Sequence, residues 1–97
     1  MWILQSPEAT FRLTPGAVKT VGRATRADFV VDAALVSRLH CRLAAGAGEI
    51  EAVDLESTNG TYVNGQRVDR AVLKEGDKLR VGAVELVVMK STKAAES

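Results

Sequence analysis

Three short segments carry side chains that can bind an anion, and each lies beside glycine or another turn-forming residue. The segments are Gly22-Arg23, Val36–His40 (VSRLH) and Asp54–Gly65 (DLESTNGTYVNG). A phosphate monoester carries about −1.5 to −2 charges at neutral pH and offers three acceptor oxygens, so it favours guanidinium groups, hydroxyls and free backbone N–H groups. Side chains with suitable donors stand at six positions: Arg23, Ser37, Arg38, Ser57, Thr58 and Asn59.

Short strands must position these segments, because the chain shows almost no helical periodicity. Aliphatic and β-branched runs are separated by Gly, Asn, Asp and Pro, which is typical of strands joined by turns. We predict strands near Trp2–Leu4, Thr10–Leu13, Val18–Val21, Phe29–Val31, Cys41–Leu43, Glu49–Asp54, Tyr62–Val63, Gln66–Val68, Leu79–Val81 and Val84–Lys90. So many short strands predict an all-β, antiparallel sandwich or barrel, in which loops at one end meet on a rigid base.

The turns between these strands have recognisable sequences. Asn64-Gly65 predicts a tight hairpin, because both of its central positions need positive φ. Asn59-Gly60 lies five residues earlier and cannot serve the same hairpin, so it needs another role. Further turns are predicted at Thr14–Gly16, at Lys74–Asp77 and at Gly82-Ala83, which would close the last hairpin.

Composition indicates one ordinary globular domain. The chain has 97 residues, 46% of them hydrophobic, and a formal net charge of +1, so the bulk charge does not favour nucleic acid as a partner. Cys41 is the single cysteine, which excludes an internal disulfide and favours the cytoplasm. The apolar start, Met1–Gln5, is too short for a leader or a membrane span. We expect a domain over residues 1–90 and a disordered polar tail over residues 91–97.

Taken together, the motifs are similar to those of the forkhead-associated (FHA) domain. The pattern consists of Gly-Arg, Ser-Arg-x-His and Asp-Leu-x-Ser-Thr-Asn-Gly-Thr-Tyr-Val-Asn-Gly, and it ends in Leu73–Gly82 (LKEGDKLRVG). The resemblance covers roughly Trp2 to Lys90 in the order and spacing of that family. It implies a β-sandwich of about eleven strands that recognises phosphothreonine through loops at one end. The implied partner is a phosphothreonine-containing protein in a Ser/Thr kinase pathway.

The resemblance also implies residue roles. Arg23 and Ser37 resemble the main phosphate contacts, and Arg38 occupies a position that often helps to hold the phosphate or the peptide. Thr58 resembles a further contact at the phosphothreonine pocket, and Asn59 resembles a residue that bonds to the peptide backbone. Three further residues, Gly22, His40 and Gly60, resemble structural supports of the site. No catalytic residue, metal or cofactor is implied, and neither nucleic acid nor a membrane is an expected partner.

Simpler explanations exist for several of these residues. Ser37 could cap a local turn, and Arg38 could be a solvated surface charge. Asp54 and Glu56 could suggest an acid–base pair, but no further catalytic partner lies near them. His40 and Cys41 are adjacent and point to opposite faces of a strand, which argues against a nucleophilic pair.

Two alternatives to phosphopeptide recognition remain at the level of sequence. One is a structural module that assembles without a phosphate site, which phosphate-independent binding unaffected by Arg23→Ala would favour. The other is an enzyme, for which the chain offers neither a nucleophile–base pair nor a metal-binding cluster.

Overall fold

A computed structural model describes residues 1–91. Within this range there are eleven strands and no helix, so none of these residues forms a helical membrane span. The strands are β1 (Trp2–Gln5), β2 (Thr10–Leu13), β3 (Val18–Gly22), β4 (Phe29–Val30), β5 (Cys41–Ala45), β6 (Ile50–Asp54), β7 (Thr61–Val63), β8 (Gln66–Val68), β9 (Arg70–Leu73), β10 (Lys78–Val81) and β11 (Val84–Lys90).

The strands form two sheets, which confirms the predicted β-sandwich. The six-stranded sheet has the order β2-β1-β11-β10-β7-β8, and the five-stranded sheet has the order β4-β3-β5-β6-β9. The antiparallel arrangement holds for all pairs described except β3 with β4, which run parallel. The loop between them doubles back, because the Asp28 carboxylate accepts bonds from the Thr20 backbone N–H at 2.9 Å and from its hydroxyl at 3.1 Å. As a result, β4 lies alongside the last two residues of β3, Val21 and Gly22.

One strand was missing from the sequence prediction. Strand β9 pairs only with β6, so it forms an edge of its sheet. Along it Leu73 is fully buried, whereas Arg70 and Val72 are exposed. With one buried residue, such a strand lacks the clear alternation of apolar and polar residues by which strands are predicted.

The core fills the space between the sheets with alternate residues of the strands. On β10, for example, Leu79 and Val81 are fully buried, while Lys78 is exposed. Trp2 on β1 is only 1% exposed, and its indole N–H donates to the carbonyl of Gly46 at 2.9 Å. At one side of the sandwich, the free edges of β2 and β4 are bridged by the stacked rings of Phe11 and Phe29, whose centroids lie 4.7 Å apart.

The predicted hairpins are also present. Asn64 and Gly65 have φ values of 50° and 86°, as a tight hairpin between β7 and β8 requires. Gly82-Ala83 connects the paired ends of β10 and β11. Asn59, in contrast, is not among the residues with positive φ, so Asn59-Gly60 is not a second hairpin of this type.

The two ends of the sandwich differ in what they carry. One end, here called the loop end, carries the segments that follow β3 and β6, precede β5 and join β10 to β11. The opposite end holds both limits of the described chain. There the backbone N–H of Ser91 donates to the carbonyl of Met1 at 2.8 Å. Ser91 was predicted to begin a disordered tail, of which residues 92–97 lie outside the described residues.

Candidate phosphate-binding site

An open depression of about 570 Å³ lies at the loop end, and we call it the recognition depression. It is lined by residues from three loops: Arg23, Asp32, Ala33, Ala34, Leu35, Val36, Ser37, Thr58 and Asn59. The structure therefore brings together four of the five predicted binding residues. Arg38 is the exception, because its exposed side chain does not line the depression and forms no hydrogen bond with residues 1–91.

Gly22 lets two of these loops approach closely. It is the last residue of β3, and a Cβ atom at this position would lie 2.0 Å from the carbonyl oxygen of Arg38. Because that neighbour is backbone, it cannot move aside as a side chain would. Next to this contact, the N–H groups of Arg23 and Ala24 donate to the carbonyls of Ser37 and Arg38 at 2.9 and 3.1 Å. Glycine is thus required for the packing of β3 against the segment before β5.

The same packing orients the guanidinium group of Arg23. Its Nε–H donates to the carbonyl of Val36 at 3.1 Å, while the side chain remains largely exposed. One donor is thereby used to fix the plane of the group. The two terminal nitrogens keep their N–H groups for a ligand, and these can bond to two oxygens of one phosphate.

Ser37 connects the second loop with the third. Its side-chain oxygen accepts a hydrogen bond from the backbone N–H of Thr58 at 3.0 Å. Since the oxygen is the acceptor in that bond, the hydroxyl hydrogen remains available for another acceptor. The side chain of Thr58 is exposed and forms no hydrogen bond with the rest of the described chain. Two residues with hydroxyl donors, Ser37 and Thr58, therefore line the depression and are joined by a hydrogen bond.

His40 lies beneath these loops and is fully buried. Its Nδ1 accepts a hydrogen bond from the backbone N–H of Ser37 at 3.1 Å, so the ring proton must be on Nε2. Nε2 lies 2.8 Å from the carbonyl oxygen of Gly60, to which it then donates. Both ring nitrogens are used within the protein, which leaves neither for catalysis or for a metal. The imidazole instead joins the loop of Ser37 to the loop of Gly60.

Asp54 organises the third loop. Its Oδ1 accepts bonds from the hydroxyls of Ser57 at 2.5 Å and Thr61 at 2.7 Å, and its Oδ2 accepts from the N–H of Ser57 at 3.1 Å. Burial alone would raise the pKa of this carboxyl, but the hydrogen bonds from Ser57 and Thr61 outweigh burial and hold the pKa below its ordinary value. The carboxylate of Asp54 is therefore used in hydrogen bonds within the loop. An acid–base catalyst is not expected to be bonded in this way.

Ser57 is the one predicted donor that the structure assigns elsewhere. It is buried, its hydroxyl donates to Asp54, and the same oxygen accepts the N–H of Gly60 at 3.0 Å. Its inclusion among the groups available to a phosphate was wrong, because the loop itself consumes its hydrogen-bonding capacity. The sequence Asp54-x-x-Ser57 is a signal for such a side chain–backbone turn and was available at the sequence level.

A fourth segment, which the sequence analysis did not connect with the site, supports the rim of the depression. A Cβ atom at Gly82 would lie 2.5 Å from the carbonyl group of Leu35, so the turn between β10 and β11 fits closely under the loop before β5. Leu35 has a φ of 69° and is 58% exposed, a strained backbone conformation for a leucine. The side-chain amide of Asn59 donates to its carbonyl at 3.1 Å. The side-chain oxygen of Asn59 remains available to a ligand.

The remaining nucleophilic candidate is Cys41, which is fully buried in the core. Burial raises the pKa of its thiol to about 12, with a smaller contribution from the charge of Asp54. The thiol is thus protonated at neutral pH, and thiols react as thiolates.

Comparisons with known proteins agree with this arrangement. A family model described as the FHA domain matches residues 19–82. The chain is 44% identical over 94 residues to an ABC transporter ATP-binding/permease protein of Mycobacterium tuberculosis, a match to 97% of this chain and 11% of that protein. It is 40% identical over 78 residues to the glycogen accumulation regulator GarA of Mycolicibacterium smegmatis, a match to 80% of this chain and 49% of GarA. The chain therefore spans half or less of the length of these two curated relatives.

Solved structures show the same fold. The FHA domain of FhaA, in complex with the intracellular domain of Rv3910, superposes with a TM-score of 0.83 at 33% identity, over 91% of this chain and 99% of that one. An FHA domain from a study of phosphothreonine-dependent interactions gives a TM-score of 0.85 at 32% identity, over 93% of this chain and 96% of that one. The chain therefore belongs to the forkhead-associated (FHA) domain family.

Proposed function

We propose that the recognition depression holds the phosphate group of a phosphothreonine-containing protein segment. Arg23 and Ser37 are the main phosphate contacts in this proposal, and Thr58 is a further donor beside Ser37. Asn59 would bond to the backbone of the bound segment. The observation that carries the proposal is that Arg23 and Ser37, distant in sequence, line one depression with donors that the protein itself leaves unused.

The available donors are sufficient for a reversible complex. A hydrogen bond to a charged group contributes about 1.5–3 kcal/mol, so three or four contribute roughly 5–12 kcal/mol before ordering costs. Ordering a flexible segment removes several kcal/mol of this. Flanking contacts then bring the dissociation constant to the micromolar range, a binding free energy of about −8 kcal/mol. Removal of the phosphate should remove most of the affinity, as a kinase-controlled interaction requires.

We assign Arg38 a secondary role. Its backbone carbonyl accepts the N–H of Ala24, which fixes the start of the side chain beside the depression. A long, exposed cation at the rim can contact the phosphate or a neighbouring residue once a segment is bound. Replacing Arg38 should therefore weaken binding less than replacing Arg23.

We infer further that the domain acts by binding and not by catalysis, in Ser/Thr kinase signalling in the cytoplasm. The protonated thiol of Cys41 and the fully bonded ring of His40 support this inference, because neither offers a nucleophile or a base. The relatives include regulatory proteins, namely GarA and an oxoglutarate dehydrogenase inhibitor of Corynebacterium efficiens. Their names describe a regulator of glycogen accumulation and an inhibitor of an enzyme.

The test compares Arg23→Ala with Arg42→Ala. Arg42 is an exposed arginine on β5 that does not line the recognition depression. Arg23→Ala should lower the affinity for phosphothreonine peptides by about 2 kcal/mol, roughly thirtyfold, while Arg42→Ala leaves it unchanged. Titration calorimetry gives the affinities, and amide NMR spectra verify that both variants are folded. Equal binding by wild-type protein and Arg23→Ala would show that the phosphate binds elsewhere.

A further inference from the structure

A second depression continues from the recognition depression and shares Asp32 and Ala33 with it. It encloses about 160 Å³. Its lining includes Phe11 on β2 and Val30 on β4, which are the free edge strands of the two sheets. Val30 is 40% exposed, although it is an apolar residue in a strand. An apolar side chain of an edge strand is therefore accessible to solvent in the depression next to the phosphate site.

A third depression continues from the second and shares Ser6, Glu8 and Val84 with it. It has a volume of about 700 Å³ and extends along β11, where Val87 and Met89 line it. We call the second and third depressions together the apolar path. Because each depression shares lining residues with the next, the three are adjacent, in order from the phosphate site to the residues of β11.

The charged groups differ along this surface. The recognition depression contains one cation, Arg23, and one carboxylate, Asp32, whereas the charged residues that line the apolar path are all acidic, namely Glu8, Asp32 and Glu85. None of these three carboxylates takes part in an ion pair within residues 1–91. A ligand that extends from Arg23 along this surface thus passes apolar side chains bordered by three carboxylates, the first of which, Asp32, already lines the recognition depression.

We propose that the chain beside the phosphothreonine continues along the apolar path, and that the domain selects flanks in which apolar residues alternate with lysine or arginine. Apolar side chains would cover Phe11, Val30 and Val87, and the cations would pair with the carboxylates. The occupant is the same segment that carries the phosphate, because the first two depressions share two lining residues. The proposal rests on the proposed phosphate site and adds the composition of the flank to it.

The reach of an extended segment sets the peptide length for a test. Ten residues in extended conformation span about 33 Å, and the molecule measures 39 × 25 × 23 Å. Ten flanking residues can therefore reach over most of the molecule in any direction. Separate peptides should carry the flank before or after the phosphothreonine, since each orientation is a distinct arrangement.

The test measures fluorescence anisotropy with phosphothreonine peptides whose flanks alternate valine with lysine, alternate valine with glutamate, or contain only glycine and serine. In one orientation, the valine–lysine flank should increase the affinity at least about tenfold over the glycine–serine flank, through several exposed ion pairs and apolar contacts. The valine–glutamate flank should not increase it. Equal affinities for all three flanks in both orientations would overturn the proposal.

Charge reversal provides the matched comparison. The double variant Glu8→Lys/Glu85→Lys should prefer the valine–glutamate flank. The control is Glu49→Lys, which should behave as wild type because Glu49 is an exposed residue between β5 and β6 at the opposite end. An unchanged preference in the double variant would contradict the proposal. The proposal would also be contradicted if the unphosphorylated valine–lysine peptide bound as tightly as the phosphorylated one.

The proposed function and the flank preference fail separately in this design. If Arg23→Ala binds all the phosphorylated peptides as wild type does, the phosphate site is wrong. If wild-type protein binds phosphopeptides, loses them on Arg23→Ala, and does not distinguish the flanks, only the apolar path is wrong.

Discussion

Among the single residues of the site, Gly22 has the most direct effect on geometry. Its missing methyl group allows the end of β3 to contact the backbone of Arg38. The arginine that follows it is thereby placed next to Ser37. The glycine of Gly22-Arg23 is therefore a packing requirement between two loops, and the arginine is the residue with free donors.

Gly22→Ala should destabilise the domain by more than about 3 kcal/mol, because the new methyl group would overlap a backbone carbonyl. Gly48→Ala is the matched control, since a Cβ atom at Gly48 meets nothing within 4 Å. Urea unfolding followed by the fluorescence of Trp2 measures both. A loss below about 1 kcal/mol in Gly22→Ala would mean that the loop can shift, and that the close approach is not needed for folding.

The ligand's own titration gives a second test at the scale of single groups. The second pKa of a phosphate monoester is about 6, so the dianion becomes a monoanion as the pH falls below that value. Binding should weaken below about pH 6, because Arg23 and the hydroxyl of Ser37 then face a smaller charge. Calorimetric titrations at pH 7 and pH 5 measure this change. A flat profile would contradict a site built for a dianion.

At the scale of elements, the loop between β6 and β7 depends on Asp54. The lowered pKa of this carboxyl means that the folded state favours its ionised form. Its contribution to stability is therefore present above the unfolded pKa of 3.8 and is lost as the pH falls through the lower, folded value.

Asp54→Asn should reduce stability at pH 7 by about 1–3 kcal/mol, since an amide cannot accept the same three bonds. The difference from wild type should narrow below about pH 4, because the carboxyl of the unfolded state then binds a proton more readily than the carboxyl of the folded state. Urea unfolding at pH 7 and pH 3 tests this. A difference of the same size at both pH values would show that the charge of Asp54 is unimportant to the loop.

The elements also show how far the sequence could be interpreted. Strands with clear alternation, such as β10 and β11, were predicted within a residue of their bounds. Strand β9 was missed because only one of its residues is fully buried. The parallel pairing of β4 was missed because it depends on the side chain of Asp28. Side-chain bonds between residues distant in sequence are not visible in a pattern.

The same distinction applies to the candidate site. Arg23, Ser37, Thr58 and Asn59 were identifiable from their types and from the family motifs, and all four line one depression. The contacts of His40 were not predictable, because they depend on the orientation of a buried ring. Leu35 carried no sequence signal, since its strained conformation is imposed by neighbouring loops.

At the scale of the whole molecule, the fold depends on strands outside the segment that carries the family motifs. The match to the family model ends at residue 82, yet β11 follows it and pairs with both β1 and β10. Strand β1 in turn pairs with β2 and contributes Trp2 and Leu4 to the core. Much of the six-stranded sheet therefore comes from the ends of the chain.

A fragment of residues 19–82 should consequently fail to fold, although it contains every predicted binding residue. Without β1, β2 and β11, strand β10 loses a partner and the five-stranded sheet loses most of the opposite half of its core. Circular dichroism and the dispersion of amide NMR signals, compared with the full chain, measure the effect. A folded fragment that binds phosphopeptides would show that the five-stranded sheet, the remaining strands β7, β8 and β10 and the loops are sufficient.

The hydrogen bond between Met1 and Ser91 places both limits of the described domain side by side, on the face turned away from Arg23 and Ser37. A polypeptide attached at either limit would leave in the direction opposite to the incoming ligand. The domain could thus be immobilised on a surface, or joined to a bulky fluorescent protein at either end, with its recognition loops still accessible to large phosphorylated proteins.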